Sequence, residues 1–285
     1  MLDRTEYIEQ AYLYRMLRER MQQNLATQDL LGSIREEVLA TTKLPMAIDF
    51  LAAELRHLGI FGPAMARLKH YFTPFQTFLV DEAENDRGRF DFRTALEILE
   101  REALYRADGA TPQGVFLFQF ETICRNRLGY DRGLAAVADD PIFDADWREW
   151  ILTVRRQIGI IDFADLLYVR SQLYVQQQAK KQDFRAPEDD KPILFGEAEG
   201  RIALANRRKD PLLLFSALQR QLGYPAVPKP IPVDDVREKT EQLSRRIERL
   251  EGRIKMMEEE HRGGIDITKF YGKSADLLPD DLLGE

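Results

Sequence analysis

The sequence predicts a mainly α-helical protein that ends in a coiled-coil helix. Most of residues 1–181 divide into segments in which apolar side chains recur every three or four positions, and none of these segments alternates with period two. Between residues 233 and 262 the apolar side chains instead occupy two positions in seven. That pattern is the narrow seam of a coiled coil and not the broader face of a core helix. The two patterns together predict an all-α domain and a separate helix that associates with another helix.

The segment 1–181 contains several clear helix starts. Thr73 and Thr111 each precede a proline, which is the order expected for a capping hydroxyl and the first helical turn. Asp91 can cap another helix, and the stretch from 147 to 158 keeps helical spacing over about three turns. We therefore expect a multi-helix, all-α N-terminal domain with short connections. Further helices are predicted at 4–22, 28–40, 45–58, 112–128 and 162–181.

A polar linker at 182–192 is predicted to separate this domain from a small module at 193–227. Gly196 and Gly200 bracket a turn between two short apolar runs, which favours a small β-hairpin. The Ala, Leu, Glu and Arg content of 197–206 also suits a short helix. The sequence alone leaves the hairpin and the helix open as alternatives.

The rest of the module is predicted to be one helix that begins at Pro211 and ends before Gly223. Three closely spaced prolines then make residues 228–232 a Pro-rich linker, and the coiled coil follows at 233–262. Two adjacent glycines end it. The acidic tail at 263–285 carries only short apolar clusters, which predicts a segment that is disordered alone and docks onto a partner.

The repeat in the coiled coil favours a parallel dimer. β-Branched residues stand at the first core position of the two central repeats, and residues without a β-branch stand at the second. In a parallel pair Arg246 would meet Glu251 of the other copy, whereas an antiparallel pair would set Arg246 against Arg253. The number of strands stays open, and so does the alternative of a helix that lies on its own domain. The residues predicted to carry self-association are Val236, Leu243, Ile247, Leu250, Ile254 and Met257.

Composition restricts the broad class of protein. The net charge is -7, which argues against a general nucleic-acid binder. No apolar run approaches the roughly 20 residues that span a bilayer, and the first residues lack the layout of a secretion signal. The single cysteine, Cys124, excludes an intramolecular disulfide and a CxxC metal site. We therefore expect a cytoplasmic protein without a membrane partner.

One pair of residues has a spacing used by metal sites. Glu54 and His57 form an ExxH pair on a predicted helix, and Glu54 falls on the apolar face of that helix. Di-iron helical bundles use two such pairs on facing helices, but the second ExxH of this chain, Glu258 and His261, belongs to the end of the predicted coiled coil and not to the helical domain. We therefore predict that Glu54 pairs with an arginine of a neighbouring helix and that the protein uses no metal and no cofactor.

Basic residues outnumber acidic ones between 201 and 229. Such a cluster can bind phosphate groups or an acidic protein surface, although a run of charges is more often a solvated face. The residues of this predicted basic patch are Arg201, Arg207, Arg208, Lys209 and Arg220.

These features favour a non-enzymatic assembly or adaptor protein that self-associates through its coiled coil and binds another protein. Two alternatives belong to other classes. The first is a helical metal-binding protein or enzyme centred on Glu54 and His57, and the second is a nucleic-acid-associated protein that uses the basic residues of 201–229. No catalytic motif with a recognisable spacing supports an enzyme.

Overall fold

The computed structural model describes residues 2–21, 27–85, 90–181 and 191–229, and these residues belong to one compact unit, Met1–Pro230. Within these ranges the chain is mostly helical and forms no strand, which confirms the predicted all-α class. The helices are α1 (Arg4–Arg20), α2 (Thr27–Glu37), α3 (Leu44–Leu58), α4 (Gly62–Arg67), α5 (Pro74–Glu84), α6 (Phe92–Ala107), α7 (Pro112–Arg125), α8 (Tyr130–Ala138), α9 (Ala145–Gln157), α10 (Phe163–Tyr168), α11 (Gln172–Lys181), α12 (Glu197–Ala205) and α13 (Pro211–Leu222).

The predicted helix caps are present. The Thr73 hydroxyl accepts a hydrogen bond from the Gln76 amide at 3.3 Å, and the Gln76 side chain accepts one from the Thr73 amide, which makes a capping box at the start of α5. Thr111 caps α7 and Asp91 caps α6 through the same kind of bond. These three contacts satisfy amides that the first helical turn leaves without a partner.

The first half of the unit is built around α1 and α6, which pack along each other. Both helices contribute buried side chains to the core, among them Ala11 and Tyr14 from α1 and Ala95 and Ala103 from α6. The alanines allow the two helices to approach closely. Charged groups join the two helices at their edge, where Arg15 Nε lies 2.8 Å from Glu100 Oε1.

Aromatic rings form the core of the second half. Phe116 of α7 lies 4.8 Å from Trp150 of α9, and Phe120 lies 4.7 Å from Phe163 of α10, measured between ring centroids. Phe195 lies 5.2 Å from Trp150 in an edge-on arrangement. The segment 191–229 therefore shares its core with the helices that precede it. Aromatic pairs of this kind add about 0.5–1.5 kcal/mol each to the burial of their surface.

The helix predicted at 162–181 is divided into α10 and α11. A continuous helix would need the Arg170 carbonyl to accept the amide four residues later. That carbonyl instead accepts the amides of Leu194 at 2.9 Å and Phe195 at 3.1 Å, and the Gln172 amide donates to the Phe195 carbonyl. A distant segment thus takes the hydrogen bonds that would have continued the helix.

The hairpin favoured for 193–206 is wrong, because α12 occupies most of that segment. Gly196 stands at the N-cap of α12 and not in a turn. Gly200 lies inside the helix, where a Cβ atom would come within 2.4 Å of the Ser171 hydroxyl. The glycine is needed for close packing against Ser171, and the two glycines therefore do not mark the ends of a turn.

Several predicted features lie outside the described residues. These are the coiled coil at 233–262 with its core positions, the tail at 263–285 and most of the linker at 182–192. Among the helices that the structure describes, none combines the length and the apolar character required to cross a membrane.

Candidate functional site

Four aliphatic side chains stand exposed near the N-terminal ends of α10 and α13. We call this group the apolar patch; it consists of Ile160, Ile161, Leu212 and Leu213. Ile160 is 83% exposed and Leu213 is 55% exposed, and the other two are about two-fifths exposed. Single exposed aliphatic residues are common on soluble proteins, but adjacent ones often mark a site of association.

Two contacts hold the two halves of the apolar patch side by side. The Asp162 carboxylate accepts a hydrogen bond from the Arg208 amide at 2.6 Å, so the loop before α10 lies against the loop before α13. Beneath the surface, the buried rings of Phe163 and Phe215 lie 5.9 Å apart. Because these rings follow the exposed residues by a few positions, they fix the spacing of the two loops.

The local sequence explains why these four residues point outward. Gly159 adopts a left-handed conformation with φ of +85°, which turns the chain directly after α9. Asp162 caps α10 and Asp210 caps α13, each by accepting an amide two residues later. In α13 the buried positions are those of Leu214, Phe215 and Leu218, so the two preceding leucines face solvent.

The structure divides the predicted basic patch. The Arg207 Nε atom lies 2.5 Å from Asp165 Oδ1, and its guanidinium stands 4.3 Å from the ring centre of Tyr168. Arg201 pairs with Glu197 one turn earlier on α12. Two of the five predicted cations are therefore already compensated by carboxylates that the fold brings next to them.

The other three cations lie close to the apolar patch. Arg208 and Lys209 belong to the loop before α13, and Arg220 stands seven residues after Leu213 on the same face of that helix. All three are exposed, and none has an ion-pair partner within the described ranges. The accessible carboxylates nearby, Asp162 and Asp210, direct oxygen atoms toward backbone amides.

The ExxH pair does not form the beginning of a metal site in this structure. Glu54 Oε2 lies 2.6 Å from Arg67 Nη1 of α4, which is the type of partner predicted for it. His57 is exposed one turn further along α3. Among the residues that can be described, no group of three or more acidic, histidine or cysteine side chains is arranged to hold a metal ion.

A buried cluster of charges joins α6, α7 and the turn after α8. Arg106 Nη2 lies 2.7 Å from Glu102 Oε1 and 2.5 Å from Asp140 Oδ2. The Gln119 amide nitrogen donates to both carboxylates, at 2.8 Å and 3.1 Å. All four side chains are withdrawn from solvent. Two carboxylates therefore share one guanidinium in the interior.

Burial shifts the proton affinities in this cluster. Withdrawal from water raises the pKa of Glu102, and the nearby Arg106 only partly opposes this shift. Burial acts to lower the pKa of Arg106, but the Glu102 and Asp140 carboxylates outweigh it, so the guanidinium stays charged. The second oxygen of Glu102 has no hydrogen-bond partner among the described residues. The surroundings of Glu102 in the folded protein thus favour the protonated carboxyl more than water does.

The raised pKa of Glu102 predicts a loss of stability as the pH rises above 4.5. The unfolded chain releases the Glu102 proton near the ordinary value of 4.5, whereas the folded protein retains it to higher pH. The corresponding stability is present below pH 4.5 and is lost as the pH rises through the folded-state pKa. We expect the free energy of unfolding of the native protein, relative to Glu102→Gln, to fall as the pH increases.

Urea unfolding at several pH values from about 4, below the unfolded-state pKa, up to about 8 measures this difference. Glu149→Gln serves as the control, because Glu149 is exposed on α9 and outside the cluster. The difference in free energy of unfolding between the native protein and Glu102→Gln should change with pH more than the corresponding difference for Glu149→Gln. Equal pH dependence of the two differences would contradict the raised pKa of Glu102.

A cleft of about 320 Å³ borders the cluster at Arg106. Its wall includes Arg106 but neither of the two carboxylates that hold the arginine, and it is lined by Leu2, Arg4, Tyr7, Arg106, Ala107, Gly109, Ala110 and Ile142. The cluster therefore offers no carboxylate to a molecule bound in this cleft. The role of the buried cluster is to fix α6 against α7 and the turn at Asp140.

Comparison of the chain with protein-family models, with curated proteins and with solved structures found no match.

Sequence reasoning missed the apolar patch, although signals for it are present. Three consecutive leucines follow Pro211, and three adjacent helical positions cannot all face one core. Ile160 and Ile161 follow a glycine directly after a helix, where a turn brings side chains to the surface. The buried cluster also had a signal, since Glu102 and Arg106 are four residues apart on one predicted helix.

Proposed function

We propose that the protein is a non-enzymatic, cytoplasmic assembly or adaptor protein that forms dimers through residues 233–261 and binds a second protein through its helical unit. The observation that carries this proposal is the repeat of two apolar residues in seven. A helix with so narrow an apolar seam has no stable use for it except against another helix.

The helical unit adds a second line of support. The apolar patch exposes four aliphatic side chains, two on the loop before α10 and two on the first turn of α13, above a buried aromatic pair. A rigid surface of this kind costs little conformational entropy when a partner binds. An adaptor needs such a surface for its partner in addition to the segment through which its own copies associate.

The two alternative functions have less support. An enzyme or metal protein centred on Glu54 would need a free carboxylate, but Glu54 is paired with Arg67. A nucleic-acid binder would need an extended basic surface, but pairing of Arg201 with Glu197 and of Arg207 with Asp165 leaves only three of the five predicted cations uncompensated. We therefore retain the assembly or adaptor function as the proposal.

Cysteine cross-linking tests the parallel dimer. Leu243→Cys and Met257→Cys place a thiol near opposite ends of the seam, and in a parallel pair each new thiol faces its own counterpart. We expect each variant alone to form a disulfide-linked dimer under mild oxidation. An antiparallel pair cannot bring both positions opposite themselves.

Two controls accompany this experiment. The unmodified chain should stay unlinked, because burial raises the pKa of the Cys124 thiol to about 11 and leaves little thiolate. Arg245→Cys places a thiol at an outward position of the repeat and should also stay unlinked. Equal cross-linking of Arg245→Cys and Leu243→Cys would contradict the proposed seam.

A further inference from the structure

We infer that the apolar patch binds a short acidic protein segment that carries neighbouring leucine-sized side chains. This inference rests on the proposed adaptor function and adds the location of the partner surface and the chemistry of the partner. It concerns the patch of Ile160, Ile161, Leu212 and Leu213 together with the three cations around it.

The apolar part of the surface selects aliphatic side chains. All four residues of the patch are branched aliphatic side chains, and Ile160 and Leu213 are the most exposed of them. The two isoleucines stand on the loop before α10 and the two leucines on the first turn of α13, and the bond from the Arg208 amide to the Asp162 carboxylate joins the two segments. An extended or helical segment can lay a few apolar residues against this surface, and the removal of apolar area from water favours its binding.

The charged surroundings select acidic residues in the partner. Arg208 and Lys209 lie at one side of the patch and Arg220 lies about 10 Å from Leu213 along the helix, the length of seven residues. These cations have no ion-pair partner among the residues that the structure describes. Together with the carboxylates of Asp162 and Asp210, which keep their charge when they accept from backbone amides, these cations leave a small positive excess around the patch on a chain whose net charge is -7. Such local complementarity speeds association and favours an acidic partner.

The same features argue against nucleic acid as the occupant. Single-stranded nucleic acid is held by aromatic rings on which bases stack, together with a continuous basic groove. The patch contains no aromatic residue, and the rings of Phe163 and Tyr168 on α10 are both buried, that of Tyr168 beneath the Arg207 guanidinium. The three free cations are also fewer than the six to ten phosphate contacts of a typical strong complex.

Titration of the full-length protein with a synthetic peptide tests the inference. The peptide carries two leucine pairs flanked by aspartates, and fluorescence anisotropy reports its binding. We expect saturable binding that is about tenfold weaker in Leu213→Ser and about tenfold weaker in the double charge reversal of Arg208→Glu and Lys209→Glu. Binding should also weaken as salt is added.

Matched control variants distinguish binding at the patch from nonspecific binding elsewhere on the surface. Ile193→Ser removes an aliphatic side chain that is 52% exposed outside the patch, and Arg148→Glu reverses an exposed charge on α9. Neither should change the affinity. A peptide with serines in place of the leucines should not bind, and a peptide with lysines in place of the aspartates should bind at least tenfold more weakly.

The inference is overturned if the peptide shows no saturable binding, if Leu213→Ser binds it as the native protein does, or if the basic peptide binds equally well. It is also overturned if Leu213→Ser abolishes self-association, since a second copy would then occupy the patch. If the full-length protein forms the dimer but does not bind the peptide, this inference is contradicted and the proposed dimer is not. A monomer that still binds the peptide contradicts only the proposed dimer.

Discussion

Replacement of Arg106 by methionine is expected to lower the free energy of unfolding by about 3–5 kcal/mol, because it leaves buried carboxylates without their cation. Arg106 donates to both Glu102 and Asp140, and none of the three side chains reaches solvent. Methionine fills a similar volume but supplies no donor. The Gln119 amide cannot compensate, because it already donates to both carboxylates.

Chemical denaturation measures this loss, and Arg148→Met is the matched control. Arg148 pairs with Asp139, the residue next to Asp140, but both side chains of that pair are more than half exposed. Such a pair contributes about 0–1 kcal/mol. Adding Glu102→Gln to Arg106→Met is expected to recover part of the lost stability. Equal effects of Arg106→Met and Arg148→Met would show that the buried cluster is not what stabilises the turn at Asp140.

Local signals in the sequence predicted most of the first part of the fold. The caps at Thr73, Asp91 and Thr111 act within one helical turn, so the residues that decide them are neighbours in the chain. The break after 58 follows from Gly59, which ends α3 in the left-handed conformation. Structure that is determined by neighbouring residues can therefore be predicted from a single sequence.

The predictions at 162–181 and 193–206 failed because distant residues decide both segments. The Arg170 carbonyl takes hydrogen bonds from residues more than twenty positions later, and Gly200 is required by Ser171 on another element. Neither contact has a signature within its own segment. A pair of glycines can mark a turn or a close helix contact, and only the tertiary partner distinguishes the two.

The sequence predicted which cations lie on the candidate surface but not which of them are paired with carboxylates in the fold. The sequence indicated the cations at 201, 207, 208, 209 and 220, yet it could not show that Asp165 lies beside Arg207. The apolar patch depends in the same way on the packing of Phe163 against Phe215, which are far apart in the chain. Which charges and apolar groups stay available to a partner is a property of the folded unit.

Self-association through residues 233–261 is the central claim, and its loss is the other large effect that we expect. The seam places Ile247, Leu250 and Ile254 in successive layers, and each buried aliphatic side chain contributes about 1.5–3 kcal/mol. A chain that ends at Pro232 lacks all of these layers but retains the compact unit Met1–Pro230. It is therefore expected to be folded and monomeric.

Sedimentation equilibrium of the full-length and the shortened chain, both at tens of micromolar, tests this claim most directly. Circular dichroism of the shortened chain confirms that its helices persist, so that its mass reports association and not unfolding. The account predicts a full-length mass of twice 33.1 kDa and a monomeric mass for the shortened chain. A full-length protein that sediments as a monomer, or a shortened chain that is still dimeric, would contradict it.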